Sequence, residues 1–321
     1  MKKNLGIFLL AVLILAGGII FFTACEPESK KKFTIGVVNP NPGTAAVHDA
    51  FIDTLQEAAE KEGWILSFII CKEKKKVDTD IKEMVLRQVD MIFSITTPAT
   101  KKVKKAIAGK GVPAVFAVHD PVKSGIIESM QRPGGDLTGV KICGSIPKAL
   151  DWLLAIVPDT SHIYVPIRLD TKAAQQSLDG LQQIARSLDI HLTVVEVNDE
   201  AELDKALLLI PADVDAIFML HSMLISTHAQ KIAEMANAKK IPTAAAIGKC
   251  QQGALISFSP ELPKIGKQAS RIALQVLKGE AVGDIPAEIA EFELGINLQS
   301  AEKLGIEVPN NILISADYII R

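Results

Sequence analysis

The sequence predicts an α/β protein of two lobes with mostly parallel sheets. Three observations lead there. Short apolar runs alternate with longer amphipathic stretches, the pattern of buried strands joined by covering helices. The alternation runs through twice, the second series starting after Pro158, with no visible sequence repeat between the two. The length, 321 residues, exceeds one such unit, and 48% hydrophobic content is ample for two cores.

In the first series, residues 33–38 read as a strand, followed by the turn-rich Asn39-Pro40-Asn41-Pro42-Gly43. Thr44 is placed to cap a helix running to Gly63, with Val47, Phe51, Ile52, Leu55 and Ala59 on one face. Residues 64–71 are the second strand and 77–89 the second helix. Strand 91–95 ends in Thr96-Thr97-Pro98-Ala99-Thr100, where Thr96 or Thr97 can cap a helix with Pro98 in its first turn, running to about Gly109. Strand 113–118 leads into His119-Asp120-Pro121-Val122-Lys123-Ser124-Gly125. Residues 124–130 read as a short helix and 137–140 as a strand.

The second series opens with a helix from Pro147 to Pro158 that turns Leu150, Leu153, Leu154 and Val157 inward. Strand 163–167, helix 171–188, strand 191–197, helix 200–210 and strand 215–220 follow. A single helix over 222–240 and a strand over 242–247 complete the alternation. Residues 254–259 form a further strand, 262–278 a helix, 292–297 a strand and 300–304 a short helix. A βα repeat of this kind builds parallel sheets covered by helices, with ligands bound beyond the carboxyl ends of the strands.

At the N-terminus, Lys2 and Lys3 precede an uncharged apolar run from Leu5 to Ala24, which ends in Phe22-Thr23-Ala24-Cys25. This reads as a lipoprotein signal over residues 1–24 with Cys25 as the lipidated residue, or as an uncleaved signal anchor. Residues 25–32 would be a flexible tether. Either reading places the remainder outside the cytoplasmic membrane. Cys71, Cys143 and Cys250 cannot all pair and contain no CxxC, so no disulfide framework is expected.

Composition excludes several functions. A net charge of −2 gives no argument for nucleic acid, and two Trp with two Tyr leave little for a base-stacking platform. GxGxxG, GxxxxGK[ST], HExxH and GxSxG are all absent, and His221 and His228 lie seven apart. No catalytic pair of carboxylates stands out. No enzyme, metal site or cofactor is expected.

Strand-TPAT-helix, strand-HDPV-x-x-G and the stretch Arg132-Pro133-Gly134-Gly135-Asp136-Leu137-Thr138-Gly139-Val140, in this order and spacing, resemble the tryptophan/tyrosine-type substrate-binding proteins of ABC importers. Gly253-Ala254-Leu255, the helix 262–279, and Asn297-Leu298 with Ala301-Glu302-Lys303-Leu304-Gly305-Ile306 fit the same family. The resemblance implies the type I periplasmic binding protein fold: two Rossmann-like lobes joined by crossing hinge strands. Lobe 1 would be 33–141 with 258–290, and lobe 2 would be 142–257 with 291–321. It further implies a monomeric, lipid-anchored protein that closes on a small molecule and docks on an ABC permease in the membrane. A sensor handing its closed form to a signalling receptor is the alternative.

The candidate ligand contacts are the loops after cleft-facing strands: Asn39, Thr96, Thr97, His119 and Asp120 in the first lobe, and Arg168, Asp170, His221, Ser222 and Lys249 in the second. Asn41, Gly248, Ser257 and Ser259 sit close by. Each also has a local structural role open to it: helix capping for Thr97 and Ser222, turn formation for Asn39, Asn41 and Asp120. In the family's amino-acid binders, acidic or amide residues commonly occupy the second-lobe loops. Here those loops read Leu220-His221-Ser222-Met223 and Ile247-Gly248-Lys249-Cys250, a more cationic set. The expectation is therefore a ligand with a carboxylate or other anionic group, shared between the helix at Thr97 and one of Arg168 or Lys249.

Overall fold

The structure, a computed structural model, describes residues 30–143, 145–246 and 250–321. Cys25 and Lys249 therefore lie outside the described residues. Lys32–Arg321 is one compact unit. Along it run β1 (Lys32–Val38), α1 (Ala45–Lys61), β2 (Ile65–Cys71), α2 (Val77–Leu86), β3 (Met91–Ile95), α3 (Thr97–Ile107), β4 (Ala114–Val118) and β5 (Leu137–Lys141). Then come α4 (Ser145–Ile156), β6 (His162–Ile167), α5 (Lys172–Ser187), β7 (His191–Glu196), α6 (Glu200–Leu208), β8 (Ala216–Met219), α7 (Met223–Thr227), α8 (Ala229–Ala238), β9 (Thr243–Ala245) and β10 (Ile256–Pro260). The chain ends with α9 (Leu262–Leu277), β11 (Glu288–Ile289), β12 (Phe292–Asn297), α10 (Leu298–Leu304), α11 (Asn310–Ser315) and β13 (Tyr318–Ile320).

These strands form two sheets. The first has the order β11-β5-β4-β3-β1-β2 and the second β13-β12-β10-β9-β8-β6-β7. All pairings are parallel except β10 with β12. Each sheet is apolar on both faces because alternate residues of a strand point opposite ways. In β3, Met91, Phe93 and Ile95 meet α1 and α9 through Phe51, Leu55 and Ile272, while Ile92 joins Met84 of α2 and Val103 of α3 on the other face. In the second sheet Val165 and Phe218 pack with Leu150 of α4 and Leu181 of α5, and Ile217 and Met219 pack with Leu203 of α6 and Ile232 of α8.

Several expectations need correcting. Residues 121–130 form turns rather than a helix: Asp120 accepts from the Lys123 N–H at 3.1 Å, and Gly125 leaves the helical region at φ +69°. The predicted single helix over 222–240 breaks into α7 and α8 at His228, whose Nδ1 lies 2.9 Å from the Leu224 carbonyl and whose backbone leaves the helical region at φ −106°, ψ 15°. Thr44 caps nothing. Its hydroxyl lies 2.8 Å from Asn39 Oδ1 and 2.9 Å from the Asn41 carbonyl, and Asn41 accepts the Gly43 N–H instead. Elements β11, α11 and β13 were not expected at all. The return to the first sheet, expected near Ser257, comes later, since β10 pairs with β12 through Pro260.

The chain passes between the sheets after β5, between β10 and α9, and between β11 and β12. Gln268, 3% exposed, fixes the last passage: it donates to Glu288 Oε2 at 3.0 Å and the Ile289 carbonyl at 3.1 Å and accepts from Glu291 N at 3.1 Å. Phe258 of β10 stacks on Phe292 of β12 with ring centroids 5.5 Å apart.

Candidate functional site

The two sheets share one topological device. In each, the first strand of the series (β1, β6) has the second strand on one side and the third (β3, β8) on the other, so the connections leave in opposite directions and open a crevice at the carboxyl ends. Asn39, Thr96 and Thr97, Arg168 and Asp170, and His221 and Ser222 all sit just beyond those ends, with His119 and Asp120 beyond β4.

A cavity of about 250 Å³ lies there. Its walls are His119, Asp120, Lys123, Lys141 and Cys143 from the first series and Ile146, Pro147, Gln176, Gly180, Ile184 and His221 from the second. His119 and His221 meet edge to face, with ring centroids 5.7 Å apart at 80°. Both nitrogens of each ring, and Ser222 Oγ beside them, are buried with no hydrogen-bond partner. Burial pushes His221 down to about 3, helped by the charge His119 would carry. Burial also lowers His119 against the pull of Asp120 and of the Gln176 side chain, which faces the ring without a hydrogen bond of good geometry. Both are therefore neutral imidazoles, each able to donate through one nitrogen and accept through the other. A buried polar atom left unpaired costs about 1–3 kcal/mol, so a solute that pairs with these rings recovers that free energy.

Asp120, 6% exposed, is already engaged. Besides the Lys123 N–H, its carboxylate lies 3.8 Å from Lys141 Nζ and accepts from the Cys143 thiol at 3.8 Å. Burial raises the Cys143 pKa, which keeps the thiol protonated. Lys123 and Lys141 against one carboxylate leave the cavity cationic.

The other predicted residues are placed differently. Asn39 is absorbed in its own loop, with Nδ2 donating to the Thr44 carbonyl at 3.3 Å and Oδ1 accepting from Asn41 N at 3.3 Å. Neither Thr96 nor Ser222 caps its helix through its side chain. Thr96 instead holds a backbone rarely adopted outside glycine, at φ +81° and ψ 141°, and its carbonyl takes both the N–H and the hydroxyl of Thr100. Thr97 is the first residue of α3. Arg168 pairs with Asp170 at 3.1 Å, both about 40% exposed, and neither lines the cavity.

Sequence reasoning missed Lys141, Cys143 and Gln176. Lys141 carried a signal, as the first charged residue after an apolar strand. Gln176 carried none, because only the packing of α5 against the crevice selects it. A larger depression of about 590 Å³ lies elsewhere on the second sheet's side, between α8, α10 and β13. Its wall residues Asn297 and Ser300 serve local structure, since Asn297 caps α10 and Ser300 holds the Gly253 carbonyl. Among the described residues no three His, Cys, Asp or Glu could hold a metal ion, and no helix is long and apolar enough to cross a membrane.

Comparison with known proteins agrees with this geometry. The ABC transporter substrate binding protein family matches residues 32–320. The chain is 25% identical to the tyrosine-binding protein of Clostridioides difficile (strain R20291) over 99% of its own length and 95% of that protein. It shares its fold with the ligand-free, open structure of CD0873, a substrate binding protein with adhesive properties from Clostridium difficile (TM-score 0.75, 22% identity, 90% and 99% covered). A third match is the ABC domain in complex with L-Trp from Streptococcus pneumonia (TM-score 0.71, 21% identity, 91% and 100% covered). The fold is the type I periplasmic binding protein fold, and the protein is a binder rather than an enzyme. With residues 32–320 matched, the chain belongs to the ABC transporter substrate binding protein family.

Proposed function

We propose that this protein is an extracytoplasmic lipoprotein, anchored through Cys25, that closes its two lobes on a small solute and presents the closed form to the permease of an ABC importer. The observation that carries the binding part is the crevice itself: two neutral histidines from opposite sheets meet in it, both nitrogens of His221 without a partner and His119 faced only by Gln176. The solute is amino-acid-like or carboxylate-bearing. The relatives whose names specify tyrosine and L-Trp support the first description, and Lys141 and Lys123 in the cavity wall support the carboxylate. Arg168, already paired with Asp170, is the weaker partner for that carboxylate.

Binding to the folded state alone raises stability by about 2.7 kcal/mol at a hundredfold excess over Kd. The test is a thermal-shift screen of L-Tyr, L-Trp, other amino acids and simple carboxylates on the full chain in detergent. A rise of several degrees with one of them supports the reading, and no shift with any of them refutes it. Mass spectrometry of the mature N-terminus tests the anchor, a lipidated Cys25 being the expected start. Binding to a signalling receptor, with none to a permease, would turn the role from import to sensing.

A further inference from the structure

We propose that His119 and His221 form a proton-operated latch: the closed cleft requires both rings neutral, and protonating either one opens the cleft and releases the solute. What is released rests on the binding reading above, whereas the motion does not.

His119 follows β4 of the first sheet and His221 follows β8 of the second, so their edge-to-face contact at 5.7 Å ties the two lobes together. All four ring nitrogens are buried and make no hydrogen bond of good geometry. The one side chain facing His119 that would accept its proton is Gln176, whose pull burial outweighs, and His221 has no acceptor at all. The groups facing His119 are Asp120 and Lys123 beyond β4, Lys141 and Cys143 at the end of β5, and Gln176 of α5. Asp120 favours the proton, but Lys141 at 3.8 Å offsets it, and the Lys123 N–H and the Cys143 thiol occupy its oxygens. Both lysines oppose the proton. Against His221 the charged neighbour is His119 itself.

The sign follows from these surroundings. In the closed cleft, burial holds His221 down to about 3 and also lowers His119. In an open cleft both rings meet water and return to about 6.5. The open form therefore takes up protons that the closed form refuses. Between about pH 6.5 and the low value of His221 the ratio of closed to open falls about tenfold per pH unit on account of that ring, and His119 adds to the fall in the same direction.

The experiment is small-angle neutron scattering from the full chain in contrast-matched detergent, without solute, at pH 7.5 and 5.0. The wild type is expected to expand at pH 5.0, reflecting an about thirty-fold loss in the closed-to-open ratio from His221, with His119 acting in the same direction. The H119F/H221F double variant, which keeps two rings but no proton site, is expected to keep one radius at both values. An unchanged wild type, or a double variant that expands equally, overturns the latch. If circular dichroism shows the double variant unfolded, H119Q/H221Q takes its place with the same expectation. A solute that stabilises the wild type as strongly at pH 5.0 as at 7.5 also overturns the latch but leaves the binding reading intact. Acid expansion in a protein that no solute stabilises sustains the latch and removes the binding reading.

Discussion

Two buried polar clusters can be set side by side. In one, Ser257 Oγ lies 2.9 Å from the Tyr318 hydroxyl and 3.2 Å from the Cys250 thiol, while Asn297 donates to the Cys250 carbonyl at 2.8 Å and accepts from Ser300 N at 2.9 Å. In the other, His119, His221 and Ser222 stand together with five buried polar atoms, none of which makes a hydrogen bond of good geometry, the Gln176 side chain near His119 being the nearest approach to one. Both hold buried polar atoms, so burial alone does not separate them. Satisfaction does. A network that closes on itself ties β10, β12 and β13 into one sheet and has nothing left to offer a solute. A cluster that stays open is a standing cost to the fold, and its capacity for hydrogen bonds remains free for a ligand.

The closed cluster should fail hardest. A Cβ on Gly295 would lie 2.3 Å from Tyr318 Cζ and 2.4 Å from its hydroxyl, so Gly295→Ala must push the ring off Ser257. The expected loss is about 3 kcal/mol or more, the sum of overpacking and broken hydrogen bonds. Urea denaturation measures it, and a loss under about 1 kcal/mol would show that the network is looser than its distances imply.

Next in size is Asn297→Ala. It removes the cap of α10 and leaves the Cys250 carbonyl without its Asn297 donor. A loss of about 2 kcal/mol follows. If the same change also abolished the response to the best solute in the thermal-shift screen, the division between a structural and a ligand-binding cluster would be wrong.

This division was only partly legible in the sequence. The βα alternation gave both sheets, because strands buried on both faces read as continuous apolar runs, as in Met91–Ile95 and Ala114–Val118. The positions of His119 and His221 followed from the same reading, since each ends such a run. Their contact did not, because residues 119 and 221 are brought together only by the passages between sheets. Ser257 was placed near the hinge, but its partner Tyr318 lies in a strand too short to show periodicity. A threonine before Pro98 predicts a cap at Thr96 or Thr97, a local rule that the positive φ of Thr96 overrides. Gln176 lies mid-helix, and nothing in its neighbours marks it as facing the crevice.

The smallest stability effect is expected at the open cluster, and it is the most informative. His221→Phe keeps a ring against His119 while removing two unpartnered nitrogens. Replacing an unsatisfied polar group with an apolar one of similar shape is close to neutral, within about 1 kcal/mol at pH 7.5. At that pH both rings are neutral, so no charge is lost with the substitution. The same variant should lose most of the stabilisation given by the solute that raises the wild-type Tm furthest, because one of the two imidazoles offered to it is gone. A variant that is unstable and still binds would invert the comparison, making His221 a structural residue like Ser257. A variant that keeps its stability and loses the solute response separates holding the fold from holding a ligand at one side chain.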